Sequence, residues 1–420
     1  MASPMSAQKK GSVVFVFITL LLDTLGIGLV VPVLPELVRG LVGGDLAAAS
    51  RYLGAFVAVY AVMQFLFAPV LGGLSDRLGR RPVLLAALIG ASLNYGILAV
   101  VSDLRWLFLA RVVTGLSGAS ISTATAYIAD VTPPEKRAQS FGLVGAAFGL
   151  GFIIGPALGG LVGGFNLRAP FYLAAALSFA NFLYGLFVLP ESLPPEKRRA
   201  FSFRRANAFA SLGNLRRHPM ALGLAATLMC SYIAHQILQS TWALHGQARY
   251  AWTAAQVGVS LTAVGGLSAV VQGGLVRVAI PRFGERHMLI AGLLLTSLGF
   301  LGYAFADRAA WAYLIMIPFS LGGLAGPATQ SIITRGVAPS EQGELQGSLA
   351  SLLSIAAVIG PVIGTGLLAR FGPADAVPHF PGAPFLAASL LSAVGLVLAL
   401  RYLRRAPEEL PAPVSRRERA

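Results

Sequence analysis

The chain has 420 residues, of which 56% are hydrophobic and 12% charged, and its formal net charge is +15. Soluble domains carry about 25% charged residues, so this composition excludes an ordinary water-soluble protein. The positive charge does not indicate nucleic-acid binding, because the basic residues lie in short loops and no soluble segment is long enough for a DNA-binding domain.

Twelve apolar runs follow one another along the chain, each long enough to cross a hydrocarbon core of about 30 Å. The predicted spans are 12–38, 51–73, 81–102, 104–129, 138–163, 169–190, 219–245, 253–276, 286–306, 309–334, 343–369 and 382–403. The first run follows Lys9 and Lys10 but is too long for a signal peptide, so we expect it to stay in the mature protein. The single cysteine, Cys230, excludes a disulfide within the chain.

Lysine and arginine lie mainly on one side of the predicted membrane. The N-terminus, the even-numbered loops and the C-terminal tail carry 24 of them, and the odd-numbered loops carry 7. Basic loops stay in the cytoplasm during membrane insertion, so the count predicts that both termini are cytoplasmic. We expect the protein in a bacterial inner membrane.

An internal repeat relates the two parts of the chain. The segment RLGRR at 77–81 recurs as RFGER at 282–286, and the Gly-Pro pair at 155–156 recurs at 360–361, both with a shift of 205. Parallel repeats are typical of transporters that rock about a site at the bilayer midplane. The predicted units are a first half at 1–190, a basic cytoplasmic linker at 191–217, a second half at 218–405 and a tail at 406–420.

The loop after the second span reads GGLSDRLGRRP over residues 72–82. Pro82 suits the first turn of a helix, and Asp76 lies just before that positive helix end. The spacing resembles the signature loop of the major facilitator superfamily; the alternative is an ordinary basic turn. The resemblance implies a charge latch that closes the cytoplasmic side. Its predicted members are Gly72, Asp76, Arg77, Gly79, Arg80, Arg81, Asp130 and Arg137.

The fifth span is rich in glycine. Gly151, Gly155, Pro156 and Gly159 resemble the superfamily motif that marks exporters exchanging their substrate for protons. Small residues also permit close helix packing by themselves, and a Gly-Pro pair permits a kink. The motif therefore favours an antiporter, with simple helix packing as the alternative.

Two residues within the predicted spans of the first half are candidates for proton coupling. Asp23 is the only carboxylate that the spans place deep in the membrane, where ionisable groups are functional candidates. Desolvation opposes its charged form and a nearby arginine favours it, which suits a group that takes up and releases a proton. Arg111, followed by Gly115 and Gly118, resembles a superfamily motif tied to proton movement; the alternative is that it reaches the outer interface. Asp23 and Arg111 are the predicted proton-coupling residues.

Across nearly its whole length the chain is similar to one branch of this superfamily, the tetracycline exporters. The likeness includes LDTLGIG at 22–28, PVLP at 32–35, FGLG at 148–151, and Gln236-Ile237 and Trp242 in the second half. It implies an all-α membrane protein with the major facilitator fold, in which 12 transmembrane helices form two pseudo-symmetric six-helix halves. It also implies exchange of a drug, which travels with a divalent metal, for a proton.

Polar residues within the spans are the candidates for a cavity lining, because such side chains are costly against lipid. The predicted substrate-binding residues are Tyr60, Gln64, Asn94, His235, Gln236, Gln239, Gln272 and Gln330. The chain departs from the exporters at Asn94, where many have aspartate, and at Ser268, where they have histidine. An aspartate of their ninth helix is also missing, which weakens the case for a metal-chelated substrate. His235 could compensate, or it could bond a neighbouring helix.

The sequence therefore predicts a proton-coupled antiporter that exports small hydrophobic or amphipathic compounds, tetracycline-like or other antibiotics. The alternatives are a proton-coupled carrier of a physiological metabolite and a membrane sensor or scaffold without transport. An enzyme is not expected, because no catalytic set or phosphate-binding loop is visible. We expect no resident cofactor or metal, any divalent metal entering with the substrate, a lipid bilayer as the surroundings, no nucleic-acid partner and function as a monomer.

Overall fold

The computed structural model describes residues 4–117, 120–133, 137–198, 219–335 and 342–404, and these contain helices and no strand. In the first half the helices are α1 Pro4–Val30, α2 Leu34–Leu41, α3 Leu46–Leu78, α4 Arg80–Val100, α5 Leu104–Ser117, α6 Ser120–Val131, α7 Arg137–Phe165 and α8 Ala169–Val188. A single 3-10 turn, Pro195–Lys197, follows α8. Most of the predicted linker, and all of the predicted tail at 406–420, lie outside the described residues.

In the second half the helices are α9 Pro219–Tyr250, α10 Ala254–Val270, α11 Val276–Phe283, α12 Glu285–Phe305, α13 Ala309–Leu321, α14 Ala325–Arg335, α15 Gln342–Phe371 and α16 Ala383–Leu403. A π-helical turn, Val271–Leu275, joins α10 to α11, and a 3-10 turn, Gly322–Leu324, joins α13 to α14. Within the described part of the chain, 10 helices or helix pairs are long and apolar enough to cross a membrane.

The twelve predicted spans map onto these elements with corrections at their ends. The first span breaks after Val30 because Pro32 and Pro35 interrupt the helical hydrogen bonds. The second runs from Leu46 to Leu78, longer than predicted, since Asp45 caps its start by accepting bonds from two backbone N–H groups. The eighth and tenth spans are each divided by an irregular turn that no sequence pattern indicated.

The segment Ala-Pro-Phe occurs at 169–171 and again at 383–385, and it begins equivalent helices in the two halves. Pro170 and Pro384 lie in the first turns of α8 and α16, where a missing N–H costs nothing. The phenylalanines that follow, Phe171 and Phe385, are both fully buried. In each half the repeated segment therefore supplies a proline that begins a helix and a phenylalanine that packs in the core.

We call the end of the bundle at residues 78–80 and 283–285 the inner end, and the end at residues 41–46 and 371–383 the outer end. At the outer end α3 packs on α15 and α7 packs on α10. Gly54 of α3 faces Thr365 of α15, and Thr262 of α10 donates a hydrogen bond to the Ile153 carbonyl of α7 at 3.2 Å. These contacts join the two halves at the outer end.

Towards the inner end α7 and α10 separate. The face of α7 that carries Ile153 continues through Gly149 and Gly145, one and two turns closer to the inner end. Among the described residues, no atom beyond the chain neighbours and the local helix backbone lies within 4 Å of the position that a Cβ would take at either glycine, or at Gly273 and Gly274 of the π-helical turn. A cleft between α7 and the π-helical turn therefore opens towards the inner end.

Candidate functional site

The interior of the first half contains a cluster of ionisable side chains. Asp23, about two turns before the end of α1, is 7% exposed. Asp23 and Arg111 of α5 both interact electrostatically with Tyr60 of α3 and Tyr95 of α4. We call these four residues the acid cluster. Residues of four helices thus bring one carboxylate, one cation and two hydroxyl groups within electrostatic range of one another, which reduces the cost of keeping charge away from water.

Glycines allow the helices of the acid cluster to approach one another. Gly115 of α5 lies against the Tyr60 carbonyl of α3, and a Cβ there would come within 2.8 Å of that oxygen. Gly26 of α1 lies against the ring of Tyr95, where a Cβ would make an ordinary 3.5 Å contact. Side chains larger than hydrogen at Gly115 would push α5, and with it Arg111, away from α3.

The two predicted lining amides of the first half have different surroundings. Gln64 is half-buried on α3 and is hydrogen-bonded to Tyr60, so it extends the acid cluster. Asn94 is 2% exposed, and within the described part of the chain neither polar atom of its side chain has a hydrogen-bond partner. Asn94 is therefore buried, whereas the sequence predicted it on a cavity lining.

In the second half the predicted residues lie on α9, the π-helical turn and α14. Gln236 packs against Gly360 of α15, and Gln239 is exposed. Gln272 is exposed on the π-helical turn and continues, at intervals of three or four residues, the face of α10 that contacts α7 through Thr262. It therefore faces the cleft. Gln330 is half-buried on α14.

His235 of α9 lies among aromatic rings. Its ring centroid is 5.7 Å from that of Phe300 in α12 and 5.7 Å from that of Phe319 in α13. Its Nδ1 is 2.9 Å from the Ser231 carbonyl oxygen of its own helix. Among the described residues, the hydrogen bond shown for His235 is therefore to its own helix, whereas a bond to a neighbouring helix was one of the two roles that the sequence allowed.

At the inner end Arg80 connects the predicted latch residues. Its guanidinium is 2.6 Å from Asp76 and 3.1 Å from Asp130, and it donates a hydrogen bond to the Ser75 hydroxyl at 2.8 Å. The Arg80 side chain is 12% exposed, so these bonds form partly away from solvent. Two carboxylates of α3 and α6 are thereby held by one cation at the start of α4.

Glu191, which sequence reasoning missed, completes the inner end of the first half. Its carboxylate accepts hydrogen bonds from the backbone N–H groups of Arg80 at 2.8 Å and Arg81 at 3.2 Å. These are unpaired donors at the start of α4, where negative charge is favourable. Gly79, at φ 109°, leaves room for that carboxylate. The available signal was an acidic residue directly after the sixth span.

The remaining latch predictions have separate positions. Arg81 donates a hydrogen bond to the Leu186 carbonyl at 2.7 Å, which joins α4 to α8. Arg77 is exposed, and Gly72 has open space where a Cβ would lie. The side chain of Arg137 lies outside the described residues.

The second half carries an equivalent of the Arg80–Asp130 pair with opposite charges. Glu285 at the start of α12 pairs with Arg335 at the end of α14, and it accepts a hydrogen bond from Ser331 at 2.6 Å. The repeat shift of 205 carries Arg80 onto Glu285 and Asp130 onto Arg335. The repeat thus preserves the ion pair while exchanging the two signs.

The glycine motif of α7 forms two close interfaces. Gly151, Gly155 and Gly159 face α1, and a Cβ at Gly155 would come within 2.7 Å of the Gly28 Cα. The other face of α7 meets α10, where the Pro156 carbonyl lies against Gly258. Helix packing, the alternative that the sequence left open, is therefore present, and it links the outer contact between the halves to the helix that bears Asp23.

In the described part of the chain no three histidine, cysteine, aspartate or glutamate side chains come together as a metal site. The polar groups that the fold gathers are a single buried carboxylate with its partners, a set of amides around a cleft, and ion pairs at the inner end. Such an arrangement is suited to moving protons and binding a polar organic molecule.

The model of the Major Facilitator Superfamily matches residues 16–280 and 275–420. The chain belongs to this superfamily. It is 42% identical to the class C tetracycline resistance protein of Escherichia coli over 362 residues, which cover 86% of this chain and 91% of that protein. Identity to the class D protein of Salmonella ordonez is 36%, over 96% of this chain and 100% of that protein. The predicted likeness to tetracycline exporters is confirmed.

More distant similarities extend beyond the tetracycline resistance proteins. Multidrug resistance protein 2 of Bacillus subtilis is 28% identical over 90% of this chain and 91% of that protein. The crystal structure of the human organic anion transporter MFSD10 (TETRAN) matches with a TM-score of 0.68 and 26% identity, over 93% of this chain and 99% of that chain. The predicted major facilitator fold is confirmed, and the chain is a multi-pass membrane transporter with a small-molecule substrate.

An inward-facing structure of a bacterial homologue of the lysosomal transporter Spinster matches with a TM-score of 0.76. Its identity is 14%, over 96% of this chain and 98% of that chain, and this shows the fold alone.

Proposed function

We propose that this protein exports tetracycline-like and other amphipathic antibiotics from the cytoplasm in exchange for protons. The observation that carries the proposal is the acid cluster, which surrounds Asp23 in a chain 42% identical to a tetracycline resistance protein. The 28% identity to a multidrug resistance protein supports a substrate range wider than tetracycline.

Asp23 is the proposed proton carrier, and Arg111 its proposed partner in coupling. The neutral form of a buried carboxyl group is tolerated where its charged form is costly, so protonation alters the relative stability of the two access states. A substrate that binds the deprotonated state better would then drive proton release. Each proton that enters down a membrane potential supplies about 2.3 kcal/mol per 100 mV.

The amides along the cleft are the proposed contacts for the drug. Gln64, Gln236, Gln239, Gln272 and Gln330 offer both donors and acceptors without a fixed charge, which suits amphipathic substrates of varied shape. Asn94 joins this set only if α4 moves. The ion pairs of Arg80 and Asp76 are proposed to stabilise access states rather than to touch substrate.

We further propose that the protein works as a monomer in a bacterial inner membrane with both termini in the cytoplasm, so that the inner end is the cytoplasmic end. No resident cofactor, nucleic acid or catalytic activity is part of the proposal. Any divalent metal would enter as a complex with the drug.

The test is drug-driven proton movement in inverted membrane vesicles, with tetracycline plus Mg²⁺ and with the amphipathic cation ethidium. We expect drug addition to collapse a preformed pH gradient, and a sensitive host to gain resistance. Vesicles with equal amounts of Asp23→Asn protein are the control. Drug uptake that does not depend on the pH gradient would exclude proton exchange. If neither drug changes the pH gradient, the candidate substrates become physiological metabolites.

A further inference from the structure

An open cavity of about 590 Å³ lies at the outer end, where α3 of the first half meets α15 of the second. Its walls include Arg51 on α3, Gly366 and Arg370 on α15, and the loop that follows α15. On α3 it lies about one turn beyond the contact of Gly54 with Thr365. Each half therefore supplies one wall of this cavity, which we call the outer cavity, and its volume is within the usual range of ligand sites.

Three charged side chains line the outer cavity, namely Arg51, Arg370 and Asp375 of the loop, and all three residues are exposed. Among the described residues none of the three forms an ion pair, and neither guanidinium donates a hydrogen bond to the protein. By contrast Arg168, at the same end, donates hydrogen bonds to the Ala99 carbonyl at 2.7 Å and to a serine hydroxyl at 3.2 Å. The N–H donors of the two cavity arginines are therefore available to a ligand.

Both arginines lie at the boundary of the hydrocarbon core. Arg51 is the first residue of the second predicted span, and Arg370 directly follows the last residue of the eleventh. The Arg370 guanidinium carbon lies 5.4 Å from the centre of the Phe371 ring, a cation–π contact that restricts its side chain. Lipid headgroups occupy the layer just outside the hydrocarbon core, so the outer cavity opens at the level of the headgroups.

From this arrangement we propose that the outer cavity binds a phosphate group, which Arg51 and Arg370 hold from the two halves. Guanidinium groups present paired N–H donors that match the oxygens of a phosphate. Asp375 repels a second negative charge and attracts a neighbouring ammonium group. The source that fits all three charges is the phosphoethanolamine headgroup of a membrane lipid. Inorganic phosphate offers the same oxygens without the ammonium group or the acyl chains.

A phosphate between α3 and α15 connects the two halves only while the outer end is closed. Without it, the closed outer end gathers two cations from different halves around one cavity, and their repulsion favours separation. Bound phosphate therefore stabilises the closed outer end, and the access equilibrium depends on the lipid that surrounds the protein. This regulation does not depend on which substrate the protein carries.

The first test is binding by the full-length protein in detergent, measured by the shift in thermal unfolding with dihexanoyl phosphatidylethanolamine, dihexanoyl phosphatidylglycerol and sodium phosphate. We expect phosphatidylethanolamine to bind more tightly than phosphatidylglycerol. Arg51→Gln and Arg370→Gln should each weaken it about tenfold, because each removes charge-assisted hydrogen bonds. Asp375→Asn should abolish the preference between the two lipids.

Three further variants separate the cavity from the general charge of the surface. Gly366→Leu places a side chain in the outer cavity without changing its charge, and it should also weaken binding. Arg51→Lys keeps the charge without the paired donors and should retain part of the affinity. Arg105→Gln is the matched control, because it removes an exposed cation of the same half, at the start of α5, that does not line the cavity. Its affinities should be unchanged.

The second test is the distance between spin labels at the outer ends of α7 and α10, in nanodiscs of a phosphate-free glycolipid with and without added phosphatidylethanolamine. We expect the added lipid to raise the ratio of closed to open outer ends about fivefold, at the low end of usual coupling between sites. Arg51→Gln and Arg370→Gln should abolish the rise, whereas Arg105→Gln should keep it. Sodium phosphate added to the glycolipid discs distinguishes the two sources, because closure by it would assign the site to free phosphate.

Unchanged affinities in both arginine variants would overturn the proposal, and so would an equal loss in Arg105→Gln. A closed population that responds to neither the lipid nor sodium phosphate would exclude the effect on access. Equal affinity of the unsubstituted protein for the two lipids would contradict the role of Asp375. All of these measurements are made without drug, so a failure of the export function would appear only in the vesicle experiment.

Discussion

The two halves share helices and packing but place their ionisable groups differently. In the first half Asp23 and Arg111 lie deep among tyrosines, whereas the second half holds His235 among phenylalanines and carries its charges at helix ends. At the inner end the Arg80–Asp130 pair of the first half returns as Glu285–Arg335 with exchanged signs. An ion pair depends on distance and opposite charge, so a duplicated fold can preserve the contact while its two residue types exchange places.

The helices of the two halves differ in regularity as well. The described part of α3 runs unbroken from Leu46 to Leu78, whereas its counterpart in the second half is interrupted by the π-helical turn, which touches the 3-10 turn between α13 and α14. Such turns free backbone groups and are frequent at functional sites. The first half thus contains the deep charges and the second half the irregular backbone. This difference suggests that the first half couples protons and the second half binds substrate.

The largest effect should come from removing the deep carboxylate. Asp23→Asn permanently mimics the protonated form, so we expect uphill export to fall at least about 100-fold while drug affinity stays within about tenfold. The measurement is drug accumulation in inverted vesicles under an imposed pH gradient. Asp307→Asn, at an exposed loop carboxylate, is the control and should export normally. Uphill export by Asp23→Asn would show that the buried carboxylate of the first half is not needed for proton coupling.

A charge exchange tests the two inner ion pairs. Arg80→Glu places three carboxylates together, with Asp76 and Asp130, and we expect turnover to fall about 10- to 100-fold. Adding Asp130→Arg gives this pair the polarity of the second half and should recover about tenfold, or about 1.4 kcal/mol.

The corresponding double exchange, Glu285→Arg with Arg335→Glu, should stay within about threefold of the unsubstituted protein, because that pair has fewer partners. Transport rates and drug affinities are measured for each single and double variant. If neither double exchange transports faster than its single variants, then each position requires its own charge and the pairing of the two charges is not what matters.

Substitution of a closely packed glycine should lower stability to a similar extent in both halves. Gly155→Ala places a Cβ within 2.7 Å of the Gly28 Cα, and Gly360→Ala places one within 2.9 Å of the Ile233 carbonyl. We expect each to lower the free energy of unfolding in detergent by about 1–3 kcal/mol. Gly149→Ala and Gly366→Ala, on the same two helices, meet open space and should be neutral or mildly stabilising. Equal losses at all four positions would point to helix bending instead of packing.

The smallest effect should come from the hydrogen bond between the halves. The Thr262 hydroxyl has one hydrogen and two acceptors, the Ile153 carbonyl at 3.2 Å and the Gly258 carbonyl of its own helix at 2.9 Å. Thr262→Val should therefore weaken the outer contact by only about 0.5 kcal/mol, which shifts the access equilibrium about twofold. Distances between spin labels on α7 and α10 measure that shift. An unchanged distribution would mean that glycine packing alone closes the outer end.

Much of the site could be predicted from residue types. Asp23 is a lone carboxylate in an apolar run, and the cost of burying charge is enough to identify such a group as functional. Arg80 could be assigned to the latch from the spacing of a short loop. Glu191 was missed because nothing in its local pattern shows that the end of α8 returns to the start of α4. Asn94 was expected on the cavity because residue type does not show which neighbour covers a helix face.

The sequence by itself determined the membrane as surroundings, the number of spans and the duplication, since these follow from hydrophobic length, charge placement and a constant shift along the chain. Only the tertiary structure decided the partners of Arg80, the burial of Asn94 and the aromatic surroundings of His235. Those depend on which helix faces meet, and packing among a dozen similar apolar helices is set by side-chain shape across long sequence separations.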